Sequence, residues 1–461
     1  MKSGTLIYDN IRFYFVLDNN RNLELTPFDE DKDKCKQLFR KPIMTIDKST
    51  DAYTFDSHII EQKFLCGYCP RKKANIIFFL EDGTISSQNY VLRLKINGYL
   101  CTERDNTKIS KITFFSKELN YIYNTRNVFK TKIYNLDDSC NIELKPYEET
   151  LSEKFKFNHR GKSVLCSFNI RKFISRKFNT PLSVASTMSF EFEETDEYEF
   201  ILNLYFIAKR FIQFLTFRNN IEFDQIDVLN CFRNDYRKNG YLVMYENIIK
   251  EKEEIISERY IPIEYIYDSI ENIFGEVINN EIYTKHYPHS YELSTEITAA
   301  SFILTTSAFE WEFYKLYPNG INKSEKRQNA IDSVKEKLNN LYNESTGREK
   351  KIYKSLKDFV YLEGLDNKIN YVLKEFENML HIFAEQLYKD NYNVVKISER
   401  IKEQRNIYAH GKLNMEFNEE VIKDIIYLEK VIYCMQLKRI GVSETNIKKS
   451  INKLFDCNLL I

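Results

Sequence analysis

The sequence predicts an α+β protein of several domains: an antiparallel β-rich domain, a small α/β connecting region and a C-terminal helical bundle. Short runs of β-branched and aromatic residues, separated by Asn, Asp and Gly, fill residues 1–193, and this pattern is typical of antiparallel strands. Residues 194–289 mix a helical stripe with alternating segments, and residues 290–461 carry apolar residues at helical spacing. A length of 461 residues suits several domains better than one.

The β-rich region is predicted from short segments that turn residues separate. The predicted strands are Thr5–Tyr8, Ile11–Leu17, Ile76–Leu80, Val91–Ile96, Ile112–Phe115, Lys132–Leu136, Val164–Ile170 and Met188–Phe192. In the fourth of these, Leu92 and Leu94 alternate with Arg93 and Lys95, so one face is expected to be buried. Many short strands of this kind predict a sandwich or a barrel-like domain.

The connecting region begins with a helix predicted over Tyr198–Phe217. Ile221–Leu229 and Gly240–Tyr245 alternate like strands, and Lys250–Arg259 is predicted as a charged surface helix. The region is therefore either a smaller α/β unit or an extension of the first domain. The tract Thr284–Ser290 is predicted as the linker to the helical bundle.

The C-terminal region is predicted as an up-and-down bundle with a charged insertion. The predicted bundle helices are Glu296–Tyr314, Lys368–Tyr388, Asn393–His410, Phe417–Leu437 and a short helix after Ser443. Ser324–Asn343 and Arg348–Val360 are predicted as the inserted helices. The basic residues that follow Arg348 are either an RNA-facing patch or a solvated helix face.

Composition narrows the class of function. Lys plus Arg and Asp plus Glu both number 67, and this balance argues against a protein that coats nucleic acid through many phosphate contacts. The charge balance leaves room for a local site that acts on one or two phosphates. Nine scattered cysteines favour reduced thiols in the cytoplasm, and the sequence predicts neither a signal peptide nor a transmembrane helix.

Two pairs of residues raise the question of a metal site. Cys66 and Cys69 form a CxxC pair, and His286 and His289 form a His-x-x-His pair. A structural zinc site needs four ligands, and neither pair has neighbours in sequence that would complete the set. Separate thiols and non-ligating histidines are therefore the favoured interpretation, and zinc binding or redox chemistry at the CxxC pair remain alternatives.

The candidate catalytic residues lie in the stretch Glu399–Lys412, which is predicted to end a helix at Gly411. Arg405 supplies a fixed cation whose planar donor fork fits phosphate, and His410 can exchange a proton near neutral pH. Together these residue types can support RNA cleavage without a metal ion. Asn406 follows the arginine directly and lies four residues before the histidine, where it could orient the imidazole.

Helix geometry limits how Arg405 and His410 could act together. Five residues on an ideal helix correspond to about 500°, so the two side chains point roughly 140° apart. One phosphate could contact both side chains of the same chain at the end of the helix. It could more easily contact the arginine of one subunit and the histidine of another. The structural alternative is that Arg405 pairs with Glu399, Glu403 or another helix, and that His410 is a C-cap.

The stretch from Arg405 to His410 resembles the R-x4–6-H signature of HEPN domains, in which a polar residue commonly follows the arginine. Ala308-Phe309-Glu310 resembles an element of the first helix of many HEPN domains, so Glu310 could support the site or form an interhelical salt bridge. A β-rich first part joined to a helical last part resembles the layout of the ApeA-type anti-phage proteins. Gly4-Thr5-Leu6 resembles the opening strand of their N-terminal domain.

The resemblance implies a metal-independent endoribonuclease of the HEPN type that acts in anti-phage defence by abortive infection. Its site would be built by a homodimer or higher homo-oligomer, with Arg405, His410 and Asn406 as the catalytic set. RNA, including tRNA, would be the substrate, a phage-derived trigger would release the activity, and no cofactor, metal ion or membrane would take part. A non-catalytic HEPN module that binds nucleotides or a partner protein, and a purely structural dimer, are the alternatives.

Overall fold

The computed structural model describes residues 2–39, 43–47, 52–56, 62–81, 86–88, 91–103, 107–134, 139–175, 181–233, 235–321, 325–361, 363–411 and 418–457. The chain forms two compact units. The first comprises Met1–Lys209 and Ile221–Lys250, and the second comprises Arg210–Asn220 and Glu251–Ile461. Strands dominate the first unit and helices the second, which confirms the predicted α+β architecture. The division of the sequence into three domains, residues 1–193, 194–289 and 290–461, stays a prediction.

The first unit is built mainly from antiparallel strands. They are β1 (Lys2–Tyr8), β2 (Ile11–Leu17), β3 (Asn22–Pro27), β4 (Ile43–Asp47), β5 (Ala52–Asp56), β6 (Phe64–Cys69), β7 (Ala74–Leu80), β8 (Ser86–Gln88), β9 (Val91–Glu103), β10 (Ile109–Phe115), β11 (Phe129–Tyr134), β12 (Ser139–Leu144), β13 (Phe155–His159), β14 (Lys162–Ile174), β15 (Leu182–Thr195), β16 (Gln225–Phe232) and β17 (Asp235–Met244). The predicted strands of residues 1–193 overlap β1, β2, β7, β9, β10, β11, β14 and β15, and residues 135–136 of one prediction lie outside the described residues.

Six of these strands close into a barrel in the order β9, β3, β2, β1, β6 and β7, because β7 pairs back onto β9. The barrel confirms one of the two β architectures that the sequence predicted. Its interior is filled by alternate side chains: Leu92 and Leu94 of β9 are buried, while Arg93 and Lys95 are exposed. This alternation confirms the predicted buried face of β9.

A glycine near the N-terminus makes room for an aromatic ring in the barrel. A Cβ atom at Gly4 would lie 2.8 Å from the ring of Phe15, which is fully buried, and 2.0 Å from the carbonyl oxygen of Tyr68. Any larger residue at position 4 would therefore collide with both the core and the neighbouring strand. This local packing accounts for the glycine at this position of β1.

The sheet extends beyond the barrel because β9 also pairs with β17. The order then continues through β16, β10, β15 and β14 to β13. The two strands predicted for the connecting region correspond to β16 and β17, and both join the sheet formed by the N-terminal strands. Their short alternating patterns indicated strands, but the long-range partners β10 and β9 could not be read from the local sequence.

Helices account for most of the second unit. In chain order, the helices of the protein are α1 (Lys32–Phe39), α2 (Leu119–Ile122), α3 (Tyr198–Thr216), α4 (Glu253–Ile256), α5 (Ile263–Ile266), α6 (Ile270–Ile278), α7 (Ala299–Leu316), α8 (Glu325–Glu344), α9 (Gly347–Tyr361), α10 (Leu365–Glu375), α11 (Glu377–Tyr388), α12 (Val394–Ala409), α13 (Glu419–Ile440) and α14 (Glu444–Phe455). Helix α12 packs against α7, α10 and α13, and this packing positions the candidate site.

The helix predicted over Lys368–Tyr388 is in fact two helices, α10 and α11. The first helix ends and the second begins at Phe376, whose backbone angles are φ −93° and ψ 5° and whose side chain is buried. Ile369 before this break and Leu380 after it are both fully buried, so both segments stay packed. An apolar stripe indicates which residues are buried but not where the helical backbone is interrupted, and this is why the single-helix prediction was wrong.

The prediction of a charged helix over Lys250–Arg259 is also wrong, because only Glu253–Ile256 of this segment is helical. Glu251 is held instead by groups from other parts of the second unit. Its carboxylate accepts hydrogen bonds from the Asn220 side chain at 2.9 Å and the Tyr291 backbone N–H at 2.7 Å, and it pairs with Arg218 at 3.1 Å. These contacts fix the chain in a non-helical path that local propensity does not indicate.

The tract predicted as a linker, Thr284–Ser290, packs into the second unit. His286 and Tyr287 are buried, and their rings lie 5.5 and 4.7 Å from the ring of Phe217. The aromatic residues of the tract are therefore part of the core of the second unit. The prediction that the tract is a linker was wrong. Within the described ranges, every helix is too short or too polar to cross a bilayer.

Candidate active site

The candidate catalytic residues lie at the C-terminal end of α12. The helix begins after Asn393, whose side chain accepts a hydrogen bond from the backbone N–H of Lys396 at 3.1 Å. It ends at His410, which has φ −92° and ψ 14°, and Gly411 follows with φ +78°. A glycine adopts this left-handed conformation readily, so the end that the sequence predicted for this helix is confirmed.

One face of α12 is buried, as its apolar spacing predicted. Ile397, Ile401 and Tyr408 are at most 2% exposed, and the Tyr408 ring meets Phe302 of α7 edge to face at 5.6 Å. This packing fixes the rotation of the helix about its own axis. The rotation in turn leaves Asn406 and His410 on the solvent side.

Arg405 retains considerable freedom at the surface. Its side chain is 42% exposed, and its Nη2 atom lies 3.9 Å from the Oε2 atom of Glu310 on α7. Its Nη1 atom lies 3.5 Å from the amide oxygen of Asn406, which is the outer limit of a hydrogen bond. Both contacts are long, so within the described ranges most of the guanidinium donors have no close partner.

Glu310 is held in place by a buried lysine. Lys368 of α10 places its Nζ atom 3.0 Å from Glu310 Oε1 and 2.6 Å from the hydroxyl oxygen of Tyr314, and its side chain is only 4% exposed. Burial opposes the charge, but the hydrogen bonds to Tyr314 and Glu310 outweigh it and raise the pKa of Lys368. The ammonium group therefore stays charged and directs the second oxygen of Glu310 toward Arg405.

Sequence reasoning missed Lys368 and Tyr314. A signal was present, because Lys368 lies four residues before Val372 and directly before Ile369, both of which are fully buried. A lysine on the edge of an apolar stripe must reach a carboxylate or extend to solvent. The sequence could not show which carboxylate that would be.

His410 is exposed and stands apart from this cluster. Its backbone N–H donates to the carbonyl oxygen of Asn406 at 3.1 Å, which closes the last turn of α12. In the part of the chain that the structure describes, its imidazole forms no hydrogen bond or ion pair. Among the described residues, the imidazole therefore remains open to solvent.

The structure thus brings Arg405, Asn406 and Glu310 together, and it leaves the His410 side chain outside that group. Asn406 contacts Arg405 through its amide oxygen, whereas the sequence suggested that it would orient the imidazole. On one helix, side chains five residues apart point roughly 140° away from each other.

Two other cations of α12, Arg400 and Lys402, are already bound to carboxylates. Arg400 forms two hydrogen bonds of 2.7 Å to Asp424, which is fully buried on α13 and also accepts from the Tyr388 hydroxyl at 2.9 Å. Lys402 lies 3.0 Å from Asp366. These contacts hold helices together, whereas the 3.9 Å approach of Arg405 to Glu310 leaves that arginine open.

The residues considered for a metal site are separated. Cys66 is exposed and Cys69 is buried on the same strand, as expected for residues three apart on a strand, which point to opposite faces. His286 is buried and His289 is exposed. Across the described ranges, no group of three or more His, Cys, Asp and Glu residues is arranged to hold a metal ion.

The predicted basic patch lies on a helical hairpin. Helices α8 and α9 pack against each other, and Arg348, Lys351 and Lys354 of α9 are exposed. Ile352 on the same helix is 59% exposed, so apolar as well as basic groups face solvent there. The geometry is compatible with both the RNA-facing and the solvated interpretation.

Comparisons with protein-family models, with curated proteins and with solved structures gave no match to this chain.

Proposed function

We propose that this protein is a metal-independent endoribonuclease of the HEPN type that acts in anti-phage defence through abortive infection. The observation that carries the proposal is the end of α12. There, a partly exposed arginine is held loosely by a fixed carboxylate, and an exposed imidazole follows within the last turn. A cation for a phosphoryl oxygen and a proton-transfer group are the parts that such cleavage needs.

In the proposed reaction, the 2'-hydroxyl of a ribose attacks the adjacent phosphorus. His410 of one copy accepts the hydroxyl proton as the O2'–P bond forms, and the P–O5' bond breaks. The protonated His410 then donates this proton to the departing O5' atom. The products are a 2',3'-cyclic phosphate and a 5'-hydroxyl, so atoms and charge balance without water or a metal ion.

Arg405 would stabilise the negative charge that develops on the non-bridging phosphoryl oxygens. The long contacts to Glu310 and Asn406 suit this role, because they orient the guanidinium without using all of its donors. Glu310 is assigned as a positioning residue and Asn406 as the orienting partner of Arg405. A homodimer that aligns two α12 ends would then bring Arg405 of each copy to His410 of the other.

The β-rich first unit would be the regulatory part, and a phage-derived trigger would release the nuclease. A cytoplasmic protein that cleaves tRNA or another cellular RNA after infection would stop growth of the infected cell. These assignments follow from the family resemblance of the sequence.

The proposal is tested by incubating the purified full-length protein with tRNA in EDTA, with and without lysate from phage-infected cells as a source of trigger. We expect fragments that end in 2',3'-cyclic phosphate and begin with 5'-hydroxyl, which mass spectrometry distinguishes from the ends left by hydrolysis. The matched control is His381→Ala, which removes an exposed histidine that lies on α11 beside Glu385. RNA that is bound but left uncut under both conditions would favour the non-catalytic binding module instead.

A further inference from the structure

A cavity of about 680 Å³ lies in the first unit, beside strand β17. Its size falls in the range of roughly 300–1,000 Å³ that is usual for small-molecule sites. The residues that line it come from β17 and the segment before β16, together with Arg21, Lys72 and Tyr205. All of them belong to the first unit, so the cavity is separate from the candidate active site on α12.

Aromatic side chains form much of the cavity wall. Phe223, Tyr241 and Tyr245 line it and are partly exposed, so their rings are accessible to a ligand. Tyr205 is buried behind them, and its hydroxyl donates to the carboxylate of Glu246 at 2.5 Å. Rings of this kind suit a planar aromatic ligand, because stacking on a π-face does not depend on a particular hydrogen-bond pattern.

Cations lie close to the same rings. Lys72 places its Nζ atom 3.3 Å from the Tyr241 hydroxyl, and Lys2 lies 3.3 Å from the centre of the Tyr99 ring. Both lysines lie near the Tyr241 ring, at 5.4 Å for Lys2 and 5.8 Å for Lys72. Arg21 lies 5.3 Å from the centre of the Tyr245 ring. Lys72 and Arg21 therefore line the cavity beside the aromatic wall, and Lys2 lies next to the Tyr241 ring without being a lining residue itself.

These cations are not neutralised by the acids of the cavity. In the described part of the chain, Lys2 and Lys72 form no ion pair with a carboxylate. Arg21 donates to the backbone carbonyl of Glu246 at 2.9 Å, while the Glu246 carboxylate pairs with Lys209. The remaining cation of the lining, Lys238, is paired with Asp227 at 2.6 Å. An anion placed between the two lysines would relieve the repulsion between them.

The protonation of Lys2 reflects the same environment. Burial, followed by the nearby charge of Lys72, lowers the pKa of Lys2 to about 8. A half-buried cation beside a second, exposed cation is unfavourable in the free protein, and groups perturbed in this way are more common where a ligand binds.

We propose that this cavity binds a nucleotide, with its phosphate at Lys72 and Arg21, close to Lys2, and its base against the aromatic wall. The volume exceeds the space that a lone inorganic anion would fill, and the rings provide an apolar surface that such an anion does not use. The exposed carboxylates of Glu222 and Asp224, which also line the cavity, can accept hydrogen bonds from the ribose hydroxyls or an amino group of the base. The site does not depend on the proposed nuclease activity.

The test is isothermal titration of the full chain with ribonucleoside 5'-monophosphates and triphosphates, with adenosine and with inorganic phosphate. It is run on the Arg405→Ala variant, so that the candidate site on α12 does not contribute a phosphate contact. We expect at least one nucleotide to bind more tightly than both adenosine and inorganic phosphate. Failure of every nucleotide to bind, or equal affinity for inorganic phosphate, would overturn the proposal whatever the protein does to RNA.

Two substitutions locate the site. Lys72→Gln is expected to weaken nucleotide binding by about ten- to a hundredfold, the loss expected for one hydrogen bond to a charged group. Arg71→Gln is the matched control, because Arg71 is an exposed cation adjacent in sequence that does not line the cavity. Thermal scans would establish that both variants fold. Equal effects of the two substitutions would show general charge attraction and contradict a built site.

Binding should also depend on pH through Lys2. The lysine is charged below about pH 8, so affinity for a phosphate should fall as the pH rises through 8. The other titratable groups that act on Lys2 are Lys72, Cys69 and Cys101, and the ring of Tyr99 lies against it. Lys2→Gln should lower affinity at pH 7 and remove most of the change between pH 7 and 9. An unchanged pH profile in that variant would exclude Lys2 from the phosphate contact.

Discussion

Alanine in place of His410 is expected to lower the rate of RNA cleavage by about 10²–10⁴-fold, the usual contribution of a general acid or base. The imidazole is exposed and has no hydrogen-bond or ion-pair partner in the described part of the chain, so its loss should cost little stability. Arg405→Ala should lower the rate by about 10²–10³-fold, the cost of removing one group that stabilises transition-state charge. Single-turnover cleavage at saturating tRNA measures both effects directly.

The control for this prediction is His381→Ala, which should cleave at the wild-type rate. An alanine variant at position 410 or 405 that also cleaves at the wild-type rate would remove that residue from the reaction. If both variants retained activity, the end of α12 would not be the nuclease site. If both lost cleavage and RNA binding equally, Arg405 and His410 would act in binding rather than in chemistry.

Arg400→Ala is expected to lower the free energy of unfolding of the second unit by about 3–5 kcal/mol, the cost of removing one partner of a buried ion pair. The variant leaves the fully buried Asp424 carboxylate with only the Tyr388 hydroxyl as a hydrogen-bond donor among the contacts described. Arg405→Ala should change stability by less than about 1 kcal/mol, because its pair with Glu310 is long and partly exposed.

Fluorescence during urea unfolding measures this difference. The chain has one tryptophan, Trp311, which lies on α7 of the second unit and therefore reports on that unit. Arg400→Ala should shift the transition strongly to lower urea, and Arg405→Ala should not. Equal shifts for the two variants would contradict the assignment of Arg400 to structure and Arg405 to function.

The sequence could not predict that Arg400 has a buried carboxylate partner and that Arg405 does not. Both lie on α12 in similar charged surroundings, and helical spacing alone could not tell which one has a buried partner. The carboxylate that binds Arg400 comes from α13 and the one near Arg405 comes from α7. Only tertiary packing assigns the partners, because the contacts link residues distant in sequence.

The elements with strong local signals were predicted well. The spacing of Ile397, Ile401 and Tyr408 gave the buried face of α12, and Gly411 marked its end. The closure of the barrel was beyond local reasoning, because it depends on β9 pairing with both β3 and β7. The break between α10 and α11 at Phe376 was missed for a related reason, since the apolar stripe continues on both sides of it.

Residue type and spacing indicated the candidate site residues Arg405 and His410, but they did not predict the contacts that surround Arg405. Glu310 was suggested by resemblance, and the structure places it 3.9 Å from Arg405. The lysine that fixes Glu310 was not anticipated, because a single Lys368 at the edge of an apolar stripe also fits a solvent-exposed helix face. Among the described residues, the structure shows no contact between the side chains of Arg405 and His410.

The most direct test of a site shared between two copies is the activity of mixed dimers of Arg405→Ala and His410→Ala, co-expressed with different affinity tags and isolated through both. In a twofold dimer, one of the two composite sites would contain an intact arginine from one copy and an intact histidine from the other. We expect about half of the wild-type cleavage rate from one intact site in two. Mixed dimers as inactive as each single variant, or a chain that remains monomeric while it cleaves RNA, would contradict the shared site.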